Sequence, residues 1–165
     1  MRVERLERAI PADVGERLVV HAPVLLAAAH AMTLDHAEAE DLVQTTLEIG
    51  LRRIGDLREP AAMRAWLLTI QAREAFRLTR RLRRLIRFDA TVHELAAPGT
   101  DDADRVAVRR ALATLPARMR AAVVLHHMAG LSVAETASAL GTSDNTVKSQ
   151  LRVGLARLRR LLADD

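Results

Sequence analysis

The chain has 165 residues, half of them apolar and only 2% aromatic, which is enough for one compact domain or two small ones. It has no cysteine, which excludes disulfides and thiolate metal sites. Its formal charge is +4, and Lys148 is the only lysine among 25 basic residues. Arginine forks suit phosphate and guanine edges, although a GC-rich genome explains the same arginine usage equally well.

Alanine, leucine, arginine and glutamate dominate the sequence, and all four are strong helix formers. We therefore expect an all-α fold. Residues 1–8 are charged and lack the apolar core of a signal peptide, and no run of about eighteen apolar residues occurs. We expect a cytoplasmic protein without membrane insertion.

The first part of the chain predicts three helices. Residues 13–31 are apolar at helical spacing, with a kink expected at Pro23. Thr33 or Asp35 can cap a second helix that runs to about Asp56, and Pro60 opens a third. Residues 58–87 carry nine arginines against two acids, so the tail of the third helix is strongly basic.

Residues 88–103 combine Pro98, Gly99 and clustered aspartates, a composition typical of an exposed, mobile linker. Four short helical segments come after it, at about 104–114, 117–128, 132–139 and 144–162. The sequence thus predicts two small helical domains, residues 1–87 and 104–165, joined by a flexible linker.

The segment from Leu131 to Leu151 predicts a helix-turn-helix. Ser132 and Glu135 have the spacing of a capping box, and Gly141 suits the left-handed conformation of the turn. Ser143 caps the second helix, whose apolar stripe leaves polar and basic residues on its free face. Such a helix suits a DNA major groove, although an ordinary helical hairpin with a solvated basic face has a similar pattern.

The surrounding residues resemble a known family. Arg110 to Ala137, with Gly141, Thr146–Ser149 and Leu155–Leu162, is similar to the C-terminal domain of extracytoplasmic-function (ECF) RNA polymerase sigma factors. Ala39–Leu47 resembles the family's polymerase-binding helix, and Arg64–Arg73 resembles its −10 promoter helix. The resemblance covers about residues 10–84 and 104–162.

The resemblance implies promoter-specific transcription initiation and three sets of site residues. The set that contacts the coiled coil of the polymerase's largest subunit is Asp41, Gln44, Thr45 and Glu48. The set for the −10 element is Arg58, Arg64, Arg73, Arg77, Arg80 and Arg81. The set for the −35 element is Ser143, Asp144, Asn145, Thr146, Lys148, Ser149 and Arg152.

The family implies further partners. Its C-terminal domain also contacts the polymerase flap, and free members are often held inactive by an anti-sigma factor that clamps both domains. The chain departs from the family at Arg73 and Arg77, where Asn and Asp are common, and at the Thr45–Thr46 pair, where an acidic residue is more usual. These departures affect the −10 sequence preference.

Other classes of protein remain as alternatives. A helix-turn-helix regulator with an N-terminal effector-binding or dimerisation domain would share the C-terminal domain but needs no polymerase-binding face. A pure adaptor fits the basic third helix poorly. The histidines show neither an HExxH nor an ExxH pattern, and no glycine-rich phosphate loop occurs. We therefore expect neither an enzyme nor a cofactor or metal.

Overall fold

The computed structural model describes residues 12–85 and 103–163, and these residues form helices and turns without a strand. The N-terminal helix group consists of α1 (Ala12–Val19), α2 (Ala22–Thr33), α3 (His36–Arg52) and α4 (Met63–Leu85), with 3₁₀ turns at Ile54–Asp56 and Pro60–Ala62. The C-terminal helix group consists of α5 (Ala103–Ala113), α6 (Ala117–Val123), a π-helical turn (Val124–Met128), α7 (Val133–Leu140) and α8 (Asp144–Ala163). The all-α prediction is confirmed.

The first predicted helix is two helices rather than one kinked helix. The chain turns at Val20 and His21, and Pro23 lies in the first turn of α2. A proline is tolerated there because the first N–H groups of a helix have no partner within it. Asp35 caps α3 by accepting a hydrogen bond of 2.8 Å from the Glu38 N–H.

Helices α3 and α4 cross closely at a glycine. A Cβ atom on Gly50 would lie 2.8 Å from Cδ2 of Leu67, which is fully buried. Two polar side chains are also buried in this group. Thr46 donates to the Leu42 carbonyl at 2.7 Å, and Gln71 Nε2 donates to the Leu25 carbonyl at 2.8 Å, which links α4 to α2.

Helix α8 packs against α6 and α7 in the C-terminal group. Its buried residues are Val147, Leu151 and Gly154. A Cβ atom on Gly154 would lie 2.9 Å from Cγ2 of Val123, so α6 and α8 approach each other through the missing side chain. The buried stripe fixes which face of α8 remains free.

The two helix groups pack against each other. Helix α4 contacts α7, and α2 contacts both α6 and the π-helical turn. One cluster of buried apolar residues runs through both groups. Most of the predicted linker, residues 88–102, lies outside the described residues. None of the helices in the described ranges combines the length and apolar character needed to cross a membrane.

Candidate polymerase and promoter interfaces

The residues predicted to contact polymerase share one face of α3. Asp41, Gln44 and Glu48 are exposed and Thr45 is half-buried, at the i, i+3, i+4 and i+7 spacing that places side chains on one side of a helix. Gln44 Nε2 donates to Glu48 Oε1 at 3.1 Å. The face therefore presents carboxylate and amide groups to solvent.

An apolar groove borders this polar face. Its volume is about 530 Å³, and it lies between α1 and α3, with Leu18 and Leu26 on one side and Leu47 on the other. Val19, which lines the groove, is 60% exposed, and Val20, the next residue in the chain, is 74% exposed. Gln44 and Glu48 also line it, so apolar and acidic surface are contiguous here.

The arginines predicted to contact the −10 element do not form one surface. Arg58, Arg73 and Arg77 are exposed, and Arg77 pairs with Glu74 at 2.7 Å. Arg64 is nine residues before Arg73, which at 100° per residue places it on the opposite side of α4. The side chains of Arg80 and Arg81 lie outside the described part of α4.

Arg64 contacts the C-terminal helix group. Its Nη2 donates to the Ala129 carbonyl, and its guanidinium lies beside Gly130, where a Cβ atom would be 3.5 Å from Nη2. Gly130 has φ +75°, a conformation that other residues rarely adopt. The structure thus places Arg64 on a different side of α4 from Arg73 and Arg77.

The helix-turn-helix forms as the sequence predicts. Ser132 Oγ accepts from the Glu135 N–H at 3.1 Å, and Glu135 Oε2 accepts from the Ser132 N–H at 2.7 Å, so the capping box is complete. The hydrogen bonds from the Ser132 backbone and side chain hold the pKa of Glu135 below its ordinary value. Gly141 has φ 61° and ψ 44°, the predicted left-handed conformation.

Ser143 caps α8 by accepting from the Thr146 N–H at 3.2 Å, while Val147 and Leu151 bury the rear of the helix. All the residues predicted to contact the −35 element are exposed, namely Ser143, Asp144, Asn145, Thr146, Lys148, Ser149 and Arg152. Helix α8 therefore presents a continuous polar and basic face.

Within residues 12–85 and 103–163, histidines contact each other in two places. His36 Nδ1 lies 2.9 Å from His30 Nε2, and His126 packs edge-on against His127. Burial, with smaller contributions from His126 and Arg159, lowers the pKa of His127. No group of three His, Cys, Asp or Glu side chains in the described residues is arranged to hold a metal ion.

Comparisons with known proteins cover both helix groups. Residues 18–85 match the Sigma-70 region 2 family, and residues 105–158 match the Sigma-70, region 4 family. The ECF RNA polymerase sigma factor SigL of Mycobacterium tuberculosis is 36% identical over 157 residues, which cover 87% of this chain and 85% of SigL. The chain belongs to the ECF RNA polymerase sigma factors. This family consists of regulatory DNA-binding factors rather than catalytic enzymes.

Two further proteins are similar to this sigma factor. It is 38% identical to the ECF RNA polymerase sigma factor SigM of Mycobacterium tuberculosis over 129 residues, which cover 76% of this chain and 64% of SigM, just under two thirds. A solved structure of the sigma factor RpoE in complex with the anti-sigma factor NepR, from Bartonella quintana, superimposes with a TM-score of 0.85 at 29% identity. That match covers 94% of this chain and 99% of the RpoE chain.

The match to region 2 argues against an effector-binding or dimerisation domain at residues 18–85.

Sequence reasoning missed the residues that join the two helix groups. The Arg118 guanidinium carbon lies 5.2 Å from the centroid of the Phe76 ring, and its Nη1 donates to the Leu140 carbonyl at 3.1 Å. The rarity of aromatic residues is the one signal that could have drawn attention to Phe76.

Proposed function

We propose that this sigma factor directs core RNA polymerase to promoters by using three separate helix faces. Helix α3 binds polymerase, α4 and the preceding loop bind the −10 element, and α8 binds the −35 element. The observation that carries the proposal is the α8 face, since every residue predicted to read the −35 element is exposed while the rear of the helix is buried. The proposed domains are residues 1–87 and 104–165, joined by residues 88–103.

The α3 face suits a basic partner helix. Asp41 and Glu48 offer carboxylates to arginine or lysine side chains, and the adjoining groove accepts apolar side chains of the same partner. Both features fit the coiled coil of the polymerase's largest subunit, which the family resemblance implies as the partner. The proposed contact set is Asp41, Gln44, Thr45 and Glu48.

The basic side of α4 suits a nucleic-acid backbone. Arg73 and Arg77 are exposed on it, and Arg80 and Arg81 follow them in the sequence. Arginine on such a surface attracts phosphate with a strong dependence on salt. The proposal assigns −10 contacts to Arg58, to these four arginines, and to Arg64 once it is released from Ala129.

Helix α8 suits the major groove. Short polar side chains stand at its exposed N-terminus, where backbone N–H groups favour phosphate, and Lys148 and Arg152 lie beyond them on the same face, one turn apart. A bidentate arginine contact to guanine specifies sequence, whereas a lysine contact to phosphate adds affinity. The proposed −35 set is Ser143, Asp144, Asn145, Thr146, Lys148, Ser149 and Arg152.

The remaining partners are those that the family implies. We propose contact with the polymerase flap by the C-terminal domain, an anti-sigma factor like the one that RpoE binds, and action in the cytoplasm beside polymerase and DNA. The chain needs no cofactor of its own for this role, since the chemistry of RNA synthesis belongs to polymerase.

The decisive test of function is run-off transcription with core polymerase on a pool of genomic promoters. The proposal expects promoter-specific transcripts that depend on the added chain. Absence of any such transcript from every template would contradict a sigma-factor role, whereas regulation of transcripts made by another sigma factor would favour a helix-turn-helix regulator.

A second experiment tests the polymerase face. The double variant Asp41→Arg with Gln44→Ala is expected to lose co-purification with core polymerase while keeping −35 DNA binding. Asp104→Arg reverses an exposed charge in the C-terminal helix group and serves as the matched control. Wild-type co-purification by the double variant would contradict the assignment of α3.

A further inference from the structure

Two histidines meet across the turn between α2 and α3. His36 Nδ1 lies 2.9 Å from His30 Nε2, and the two ring centroids are 4.9 Å apart. The other ring nitrogen of His36, Nε2, lies 3.3 Å from Glu40 Oε1. Motifs such as HExxH describe ligands on one helix, so they do not reveal a pair of histidines that belongs to two helices.

The turn holds the two imidazole rings at fixed positions. The Leu34 N–H donates to the His30 carbonyl at 3.0 Å, and Leu34 has φ 65°, which is uncommon for a residue other than glycine. The Asp35 N–H donates to Thr33 Oγ1 at 3.3 Å, and the Asp35 side chain caps α3. A ligand that binds both rings therefore has little backbone left to order, and such preorganisation favours binding.

Glu40 determines which nitrogen of His36 faces His30 without a proton. A carboxylate beside Nε2 favours a proton on that nitrogen, which leaves Nδ1 with its lone pair. Between Nδ1 of His36 and Nε2 of His30 there must then lie either a proton from His30 or a metal ion bound by both. A carboxylate on the far nitrogen is the usual companion of a histidine that binds a metal.

The distance between the two nitrogens indicates the kind of metal. Nitrogen–metal bonds of about 2.0–2.1 Å place two nitrogens about 2.9 Å apart when they meet at a right angle, and about 3.4 Å apart in a tetrahedron. The separation of His30 and His36, 2.9 Å, equals the right-angled value. Ni²⁺ and Cu²⁺ favour right-angled sites with imidazole, whereas Zn²⁺ favours tetrahedral ones and Mg²⁺ prefers oxygen.

We propose that His30 and His36 together bind one divalent transition-metal ion, with Ni²⁺ and Cu²⁺ favoured over Zn²⁺, and that Glu40 orients His36. The His36 side chain is 70% exposed, so water completes the coordination. Two protein ligands are fewer than the three or four of a typical zinc site, and we expect a Kd on the order of 10 μM. The ion would join α2 to α3, and the site does not depend on the proposed function.

A second histidine pair serves as an internal comparison. His126 and His127 are adjacent in the π-helical turn, and their rings meet edge to face with 77° between the planes. His126 Nδ1 lies 2.7 Å from the Leu131 carbonyl. Rings that meet edge to face direct their nitrogens away from a common point, so this pair is not expected to chelate a metal.

Isothermal titration calorimetry of the full chain without an affinity tag tests the site, with NiCl₂, ZnCl₂ and MgCl₂ as separate titrants. We expect one Ni²⁺ ion per chain, weaker binding of Zn²⁺ and no binding of Mg²⁺. His30→Gln and His36→Gln should each abolish measurable Ni²⁺ binding. Glu40→Ala should weaken it roughly tenfold, as expected for a group that orients a ligand.

Two matched controls should bind Ni²⁺ like the wild-type chain. His127→Asn removes an imidazole of the second pair, and Asp104→Ala removes an exposed carboxylate. Circular dichroism checks folding, and the exposed position of His36 lets His36→Gln decide the question if His30→Gln does not fold. Because an ion bound only by the folded chain stabilises it, Ni²⁺ should raise the melting temperature of the wild-type chain and both controls but not of His36→Gln.

The outcomes separate the parts of the proposal. Absence of Ni²⁺ binding by the wild-type chain would reduce the His30–His36 pair to a hydrogen bond and overturn the site. Binding that survives both His30→Gln and His36→Gln would assign the ion to other groups and overturn it as well. Tighter binding of Zn²⁺ than of Ni²⁺ would overturn the right-angled geometry, and unchanged affinity in Glu40→Ala would overturn the orienting role of Glu40. Failure of run-off transcription would count against the proposed function and leave the metal site standing.

Discussion

Helices α4 and α8 are both long and arginine-bearing, yet tertiary contacts use them differently. Helix α4 packs against α3 on one side and α7 on another, so its arginines are divided between a contact with Ala129 and an exposed basic side. Helix α8 buries Val147, Leu151 and Gly154 and leaves a continuous polar face. The charge of a helix therefore does not determine which of its residues are available to DNA, because packing against the other helix group does.

The largest expected effect concerns the rear of α8. Gly154→Leu should lower the free energy of unfolding by about 2–3 kcal/mol, because the new side chain has no space beside Val123 and Met119. Gly15→Ala in α1 is the control, since no atom lies within 4 Å of the added Cβ, and it should raise stability by about 0.5–1 kcal/mol. Urea denaturation monitored by circular dichroism measures both; equal stability of Gly154→Leu and wild type would show that α8 is not fixed by this crossing.

The next effect concerns the free face of α8. Arg152→Ala should cost about 1–3 kcal/mol at one base-pair position of the −35 element, as expected for loss of a bidentate base contact. Lys148→Ala should weaken binding to all sequences and reduce the salt slope by about one unit. Binding to a sequence panel at two salt concentrations separates these results, with Arg157→Ala as the control; if both variants bind every promoter like wild type, α8 is not the reading helix.

A smaller effect is expected at the N-terminus of α7. Ser132→Ala removes the cap on the Glu135 N–H and should cost about 1 kcal/mol of stability. Because the pKa of Glu135 is lower in the folded chain, its stabilising contribution is present above the unfolded pKa and is lost as pH falls through the folded one. Thermal unfolding at several pH values checks this contribution. Glu135→Gln should reduce the fall in melting temperature at acid pH, and an unchanged fall would show that Glu135 does not cause it.

The smallest effect is expected at His127. Burial lowers the pKa of His127, so the folded state opposes its protonation and stability should fall slightly as pH drops below the ordinary value of 6.5. His127→Asn should remove this slope, while Glu135 retains its own at lower pH. Because His127 is largely exposed, we expect a change in melting temperature of at most about one degree. A wild-type slope in the variant would show that His127 does not cause it.

Local sequence signals predicted the helix-turn-helix well. Ser132, Gly141 and Ser143 form hydrogen bonds with residues three or four positions away, and such contacts can be predicted from sequence spacing alone. The exposed face of α8 was predictable from its apolar stripe for the same reason. The break between α1 and α2 was harder to predict, because Pro23 is compatible both with a kink inside one helix and with the first turn of a new helix.

Contacts between distant parts of the chain were not predictable in this way. Leu68 and Ala72 of α4 are fully buried, and the helix period alone does not reveal which other helices cover them. Gln71 is buried although glutamine is usually exposed, and its partner is the carbonyl of Leu25, 46 residues away. Arg64 and Phe76 likewise acquire their roles only from residues in the other helix group.

The π-helical turn determines how the fold responds to a change in chain length at one place. The Ala129 N–H bonds to the Val124 carbonyl five residues back, rather than four as in an α-helix. A π-helical turn holds one residue more than the α-helical turn it replaces, so deletion of one residue from Val124–Met128 can be absorbed by a return to α-helical spacing. Among related chains, a gap of one position in this turn should therefore disturb the fold less than the same gap inside α7 or α8, where it would rotate the downstream residues by about 100°.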